Sequence, residues 1–129
     1  RIASMAGNTQ RRGNPEIPCG NAYEDERRVA YRQAIEKTMD SLQVDVLVYP
    51  SWNNRPALID KFEEQYLGDN SQIIAPATGQ PAFTVPMGFS SGSLPAGLQF
   101  LGRMYAEPTL IRLTYSYEQG TKHRRAPKL

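Results

Sequence analysis

A change of hydrophobic period between residues 23 and 49 is the feature that most constrains the fold of this chain. Over residues 23–42, the large apolar side chains recur every three or four positions and share one helical face: Tyr31, Ile35, Met39 and Leu42. Residues 44–49 then form a short, mostly apolar run that Pro50 ends. A helix followed directly by such a strand predicts an α/β layer in which the strand is largely covered on both faces.

Residues 1–22 differ from the rest of the chain in composition. Gly, Pro and Asn account for eight of the first 21 residues. These residue types favour turns and extended backbone, so a connector or loop is predicted there. The periodic apolar segments all lie in residues 23–129, which are predicted to form one unit.

Two short segments after Pro50 have weaker helical patterns. Residues 57–67 carry apolar side chains four positions apart and end at Gly68, which predicts a helix, although an ordered loop fits as well. A brief helical turn could follow, capped by Asn70 or Ser71 and limited in length by Pro76.

A hairpin and a final helix are predicted downstream. Residues 82–87 and 96–102 have strand-like patterns, and residues 88–95 between them are turn-forming, so the two strands should pair antiparallel. Residues 107–119 predict a helix with Gly120 just beyond its end. Its apolar face comprises three side chains, those of Leu110, Leu113 and Tyr117.

Composition excludes several classes of function. Fifteen Lys and Arg against 13 Asp and Glu give a net charge of +2, too near neutral to predict a nucleic-acid partner. Cys19 and His123 are the only residues of their types, which leaves no disulfide framework and no Cys/His zinc site. No P-loop or dinucleotide motif occurs, so neither a metal nor another cofactor is expected. No apolar run approaches the roughly 18 residues that cross a bilayer, so no membrane partner is expected.

A complete set of catalytic residues is not visible in the sequence. Residues 90–93 form a Ser/Gly cluster, but they lie where a hairpin turn is expected, so we interpret them as a turn and not as a nucleophile. His123 lies in a basic tail, where a surface or carboxylate-paired histidine is the simpler interpretation. No catalytic residue is therefore assigned within this chain.

Two polar segments are better candidates for a binding site, because ligands of α/β sheets collect beyond the carboxyl ends of strands. The loop after the first predicted strand contains Trp52 and Asn53, which could line a substrate pocket. Trp52 could equally bury its ring beneath that loop. Asp69, Asn70 and Ser71 form the second candidate, although helix capping would explain Asn70 or Ser71 without a ligand.

Three separated motifs together resemble the C-terminal part of an amidase signature family enzyme. They are residues 45–50 (DVLVYP), 77–88 (ATGQPAFTVPMG) and 94–102 (LPAGLQFLG), and the resemblance extends over residues 23–127 in preserved order. The family's fold is a mixed β-sheet flanked by helices, so the resemblance implies an α/β class. It also places Asp69 and Asn70 in the region where relatives often contact substrate.

The resemblance implies an amide-cleaving function for the whole enzyme. Family members hydrolyse or transfer amide groups with a nucleophilic serine, a second serine in a cis peptide and a lysine. Those groups belong to a Gly/Ser-rich core that does not occur in this chain. We therefore expect a C-terminal segment that is inactive alone, has the N-terminal core of the same fold as its partner, and helps to bind a small-molecule amide.

Alternatives to the hydrolase interpretation stay open at this stage. The parent protein could resemble the amidase-type subunit of a glutamine-dependent aminoacyl-tRNA amidotransferase. The chain could instead be a non-catalytic interaction module that uses the basic tail of residues 122–128, although a solvated terminus is the simpler interpretation. Because its strands are apolar enough to need further cover, the isolated chain should expose apolar patches and could form a homo-oligomer.

Overall fold

Helices and a small β-sheet alternate along the part of the chain that the computed structural model describes, residues 21, 23–68 and 71–126. In chain order the elements are α1 (Glu26–Leu42), β1 (Leu47–Pro50), α2 (Phe62–Gln65), α3 (Ile74–Thr78), β2 (Ala82–Ser90), β3 (Leu94–Leu101) and α4 (Glu107–Thr121). Two 3-10 turns, Ile59–Lys61 and Ser71–Ile73, directly precede α2 and α3. The predicted connector, apart from residue 21, lies outside the described residues.

Helix α1 begins at a side-chain cap. The carboxylate of Asp25 accepts hydrogen bonds from the backbone N–H groups of Arg27 and Arg28, at 3.1 and 3.2 Å. These donors have no partner within the helix, so the cap stabilises its first turn. The predicted helix is thus confirmed, although it starts at Glu26 and only Met39 on its apolar face is buried.

The three strands form an antiparallel sheet in the order β1-β3-β2. Strands β2 and β3 are consecutive in the chain and joined by a turn at residues 91–93, which confirms the predicted hairpin. The Ser/Gly cluster lies in that turn and beside it, as expected. A register shift between Pro86 and Gly88 interrupts the pairing, at the point where proline supplies no N–H to the ladder.

The core lies between α4 and the sheet. Leu110 of α4 packs with Val85 of β2 and Phe100 of β3, and five partly buried apolar residues surround them: Val46, Phe83, Leu98, Leu113 and Tyr117. The predicted apolar face of α4 is therefore confirmed. The prediction that Gly120 lies beyond the helix is wrong, because Lys122 adopts the left-handed conformation and its N–H bonds to the carbonyl of Glu118.

Strand β1 is less covered than the sequence predicts. It occupies an edge of the described sheet, and its residues alternate between half-buried and exposed. Val48 pairs with Phe100 and shares its face of the sheet, but it stays exposed because α4 packs mainly on β2. The expectation that this strand is covered on both faces is therefore wrong for the described residues.

The segment between Pro56 and Gly68 is an ordered loop with a single α-helical turn, not the predicted helix over residues 57–67. A 3-10 turn precedes α2, and the backbone becomes extended at Tyr66. The rings of Phe62 and Tyr66 stack with their centroids 4.8 Å apart. Leu58, Tyr66 and Leu67 are exposed, so the segment has no buried apolar face that would stabilise a longer helix.

Candidate substrate-binding site

The candidate site begins where β1 leaves the sheet, at Ser51. The Ser51 N–H donates to the carbonyl of Gly97 at 2.8 Å, and its hydroxyl donates to the Thr84 hydroxyl at 3.3 Å. Gly97 leaves room for both side chains, since a Cβ there would lie 2.8 Å from Cγ2 of Thr84 and 3.0 Å from Oγ of Ser51. The start of the loop after β1 is therefore held against β2 and β3.

Three hydrogen bonds join this loop to Ser71 of the second polar segment and to Gly68, which directly precedes that segment. The hydroxyl of Ser71 donates to the carbonyl oxygen of Ser51 at 3.3 Å and, at 3.5 Å, to that of Pro50. The side-chain amide of Asn54 donates to the carbonyl of Gly68 at 2.9 Å. The structure thus brings together the two segments that the sequence singled out separately.

The side chains proposed from sequence have different surroundings. Trp52 is 57% exposed, so its ring is not buried beneath the loop. Asn53 is also exposed, whereas Ser71 is half-buried at the junction of the two segments. Asp69 and Asn70 lie outside the described residues. Binding of substrate by these five residues stays a prediction.

A row of polar side chains that the sequence analysis missed crosses the sheet nearby. Tyr49, Gln99 and Thr84 are in register on β1, β3 and β2, and therefore share one face. The hydroxyl oxygen of Tyr49 is buried with no hydrogen-bond partner among the described residues. Burial, and secondarily the neighbouring Tyr31, raises the pKa of Tyr49 above its usual value. Only strand register could reveal this row, because the three residues are far apart in sequence.

Gln80 is a second buried polar residue that sequence reasoning missed. Its side-chain N–H donates to the carbonyl of Gly102 at 2.9 Å, which connects the start of β2 to the end of β3. Its side-chain oxygen is buried and has no partner within the part of the chain that is described. Through its hydrogen bond to Gly102, Gln80 helps to hold the start of β2 against the end of β3.

Helix α1 fixes the short helix that follows the second polar segment. The guanidinium groups of Arg28 and Arg32 donate to the carbonyls of Pro76 and Thr78, at 3.1 and 3.2 Å. These carbonyls lie at the end of α3, where the last C=O groups of a helix have no hydrogen-bond partner within the helix. Gly79 follows in the left-handed conformation, with φ of 78°, and redirects the chain into β2.

The potential metal ligands of the described residues do not form a cluster. No group of three or more His, Cys, Asp or Glu side chains in residues 21, 23–68 and 71–126 is placed to hold a metal ion. His123 is exposed, and its ring lies 6.3 Å from that of Tyr117. Within the same ranges, no helix is long and apolar enough to span a membrane.

The chain matches a known protein family over most of its length. Residues 7–111, more than half of the chain, match the model of the Amidase family. The chain belongs to the amidase family.

The chain is similar to longer curated relatives, among them subunits A of glutamyl-tRNA(Gln) amidotransferases. The chain is 49% identical over 65 residues to the subunit from Moorella thermoacetica, covering 50% of this chain and 13% of that protein. It is 34% identical over 102 residues to the corresponding protein from Desulforudis audaxviator, covering 76% of this chain and 20% of the relative. The chain therefore spans about a fifth or less of these relatives.

Solved structures show the same fold. The native peptide amidase from Stenotrophomonas maltophilia is 30% identical with a TM-score of 0.63, and the match covers 98% of this chain and 28% of the amidase. The glutamyl-tRNA(Gln) amidotransferase subunit from Thermotoga maritima, at 24% identity and a TM-score of 0.61, matches 95% of this chain and 31% of its own. That second likeness concerns the fold alone. The α/β class and the amidase resemblance are thereby confirmed.

Proposed function

We propose that this chain forms scaffold and pocket lining of an amidase that hydrolyses the C–N bond of a carboxamide. The observation that carries the proposal is the hydrogen bond from Ser71 to Ser51, which holds two polar segments together where β1 leaves the sheet. Polar groups that converge at one place can orient a small ligand there. Membership in the amidase family supplies the class of reaction.

The lining residues have distinct proposed roles. Trp52 offers a flat apolar wall, and the amide of Asn53 can both donate to and accept from a substrate carboxamide. Asp69 and Asn70 add polar groups that fix the orientation of the amide. A pocket that is mostly apolar with a few convergent polar groups is typical of small-molecule sites. Ser71 contributes by holding the two segments in contact.

The bond-breaking groups in this proposal come from polypeptide outside this chain. They are a nucleophilic serine, a second serine in a cis peptide and a lysine. Enzymes lower reaction barriers by roughly 8–23 kcal/mol, which requires a positioned nucleophile, base and oxyanion donors together. Ser90, Ser91 and Ser93 are exposed at the hairpin turn and suit no such role. We therefore expect the isolated chain to release no ammonia from carboxamides.

A chimera tests the proposed role of the lining. This chain replaces the matching 28% of the Stenotrophomonas peptide amidase, and ammonia release from a peptide amide is measured. We expect Ser71→Ala to raise KM about tenfold, equivalent to about 1.4 kcal/mol, with a smaller change in kcat. The control is Ser116→Ala, whose hydroxyl bonds to Arg112 on an exposed side of α4 and should leave both constants unchanged.

Two results would contradict this proposal. One is a folded chimera in which Ser71→Ala and Ser116→Ala have equal effects. The other is ammonia release by the purified isolated chain that survives the triple substitution of Ser90, Ser91 and Ser93 by Ala. That second result would mean that an active centre lies within this chain.

A second candidate function is delivery of ammonia in a glutamine-dependent amidotransferase. The observation that favours it is the likeness to glutamyl-tRNA(Gln) amidotransferase subunits, at 34–49% identity over the aligned regions. Glutamine-dependent transfer by the full-length parent, with an absolute need for partner subunits, would support this candidate. Hydrolysis of diverse amides without partner subunits would support the hydrolase instead.

A further inference from the structure

Ser51 carries a buried hydroxyl group at the start of the candidate site. The residue is only 7% exposed, and its Oγ lies 3.3 Å from Oγ1 of Thr84 on β2. A buried hydroxyl without a partner costs free energy, because it has lost its hydrogen bonds to water. Among the described residues, the acceptor for this hydroxyl is Thr84. Thr84 therefore satisfies a polar group on which the site is built.

Thr84 does not depend on this contact for its own hydrogen bonding or for its place in the strand. The residue is exposed, so water can satisfy its hydroxyl. Its β-branched shape suits a strand, and valine has the same shape. What threonine offers at this position beyond valine is the oxygen that accepts from Ser51.

The steric fit around Gly97 keeps the two hydroxyl groups together. Both side chains occupy the space over this glycine, since a Cβ there would lie 3.0 Å or less from Cγ2 of Thr84 and from Oγ of Ser51. The Ser51 N–H also donates to the Gly97 carbonyl at 2.8 Å. Ser51 is therefore attached to β3 by its backbone and to β2 by its side chain.

Ser51 also carries the connection to the second polar segment. Its carbonyl accepts from the Ser71 hydroxyl at 3.3 Å, and Trp52 and Asn53 follow it directly in the chain. A rotation of Ser51 would move its carbonyl and these two residues together, because planar peptide units join them. A binding site works poorly when its supporting contacts let it move by about 1 Å. The attachment of Ser51 thus bears on the whole candidate site.

We propose that Thr84 is a positioning residue of the candidate site: its hydroxyl accepts from Ser51 and thereby fixes the backbone from which Trp52 and Asn53 project. This inference rests on the proposed function. Thr84 acts on substrate through Ser51 and not by direct contact. Loss of the hydrogen bond should weaken binding of substrate and transition state alike, which raises KM and leaves kcat little changed.

The test is a double-mutant cycle in the chimera of this chain with the Stenotrophomonas peptide amidase. Thr84→Val, Ser51→Ala and the double variant are assayed for KM and kcat of ammonia release from a peptide amide, and urea unfolding of each is measured. The matched control is Thr38→Val. The Thr38 hydroxyl bonds to the carbonyl of Ala34 at 2.9 Å on an exposed side of α1, far along the chain from the site.

Stability and KM should respond differently to these substitutions. Thr84→Val leaves the buried Ser51 hydroxyl without its acceptor, so its unfolding equilibrium constant should rise about tenfold. Ser51→Ala removes that hydroxyl, so this variant and the double variant should stay close to wild type in stability. All three lack the same hydrogen bond, so each should raise KM about fivefold, with no further rise in the double variant. Thr84→Ser, which keeps the hydroxyl, should restore the wild-type KM.

A second readout needs no activity. Trp52 is the only tryptophan, so 5-fluorotryptophan in the isolated chain gives one fluorine resonance beside Ser51. This resonance should shift in Thr84→Val and in Ser51→Ala but not in Thr38→Val. An unmoved resonance in both site variants would overturn the positioning role.

The kinetic results can overturn it in three ways. A double variant with wild-type KM would reduce Thr84 to a structural role. Unchanged KM in Ser51→Ala, with a rise in both other variants, would mean that Thr84 contacts substrate directly. Unchanged KM in all three, or an equal rise in Thr38→Val, would overturn this inference alone as long as Ser71→Ala still raises KM. The proposed function fails separately if Ser71→Ala leaves KM unchanged.

Discussion

Gly97 on β3 and Thr84 on β2 approach so closely that a Cβ atom added to Gly97 would lie 2.8 Å from Cγ2 of Thr84. The hydroxyl of Ser51 borders the same space and donates to Thr84. Any side chain at position 97 must therefore displace two neighbours. The contact ties the sheet to the first residue of the loop that forms the candidate site.

Substitution Gly97→Ala should destabilise the chain by about 1–3 kcal/mol, because it overpacks a tight contact. The measurement is the free energy of unfolding in urea. Gly120→Ala is the control, since Gly120 lies within α4 and nothing lies within 4 Å of an added Cβ. That change should stabilise by about 0.5–1 kcal/mol. A loss of similar size in both variants would contradict the packing argument.

Truncation of Leu110 should have the largest effect in the α4 core. Leu110 is fully buried and packs with Val85 and Phe100, so Leu110→Ala removes apolar contacts and leaves a cavity. We expect a loss of about 2–5 kcal/mol in the free energy of unfolding. The neighbouring Ile111→Ala, at an exposed position, should change stability by about 0.5 kcal/mol or less. Urea unfolding of both variants checks this difference, and equal losses would be inconsistent with the described core.

Tyr49 should make stability fall at alkaline pH. Burial raises its pKa in the folded chain, so above pH 10.0, the usual value, the unfolded chain releases this proton first. The contribution of the neutral Tyr49 hydroxyl to the free energy of unfolding is therefore fully present below pH 10. It is lost as the pH rises through the pKa that Tyr49 has in the folded chain. Tyr49→Phe should remove this loss and, near pH 7, leave stability unchanged or raised by up to about 1 kcal/mol.

The measurement for Tyr49 is the difference in unfolding free energy between wild type and variant from pH 8 to pH 11. Tyr115→Phe, an exposed position on α4, is the control and should retain the alkaline loss of the wild type. If Tyr49→Phe and wild type lose stability in parallel over this range, the burial of the Tyr49 hydroxyl is contradicted.

Asp25 should stabilise α1 in a pH-dependent manner. The N–H of Arg28 holds the pKa of the Asp25 carboxyl below its usual value of 3.8, and the Arg27 guanidinium acts in the same direction. The contribution is therefore present above about pH 4 and is lost as pH falls through the folded pKa. Asp25→Ala should lower Tm by a few degrees at pH 7 and by much less at pH 2.

Asp25→Asn separates the effect of the capping hydrogen bonds from the effect of the carboxylate charge. Its side-chain oxygen can still cap the helix, but it carries no charge to titrate. Thermal unfolding by circular dichroism at pH 7 and pH 2 should place this variant above Asp25→Ala at both values. An unchanged Tm for Asp25→Ala at pH 7 would be evidence against the observed cap.

Local patterns predicted those elements whose formation depends on neighbours in sequence. The apolar spacing from Tyr31 to Leu42 marked α1, and the apolar face that contains Leu110 marked α4. Turn-forming residues marked the hairpin, because only a tight turn reverses the chain between two adjacent strands. Boundaries were less accurate: Gly120 was expected beyond α4, but the left-handed cap is at Lys122.

Burial was predicted less well because it depends on what packs against an element. The apolar run of β1 suggested a covered strand, yet β1 lies at an edge of the described sheet and Val48 is exposed. The apolar spacing of residues 57–67 suggested a helix, yet only one α-helical turn forms there. In both segments, the pattern reports apolar character but not the presence of a partner surface.

The amino-acid sequence alone determined the family motifs, the long helices, the hairpin and the two polar segments, since each depends on residues close together in the chain. The contact between those segments depended on tertiary structure. Ser71 reaches Ser51 across 20 positions, and Tyr49, Gln99 and Thr84 form a row only through strand register. Contacts of this kind arise when packing brings distant backbone together, because hydrogen bonds and steric fit act over a few ångströms in space, whatever the separation along the chain.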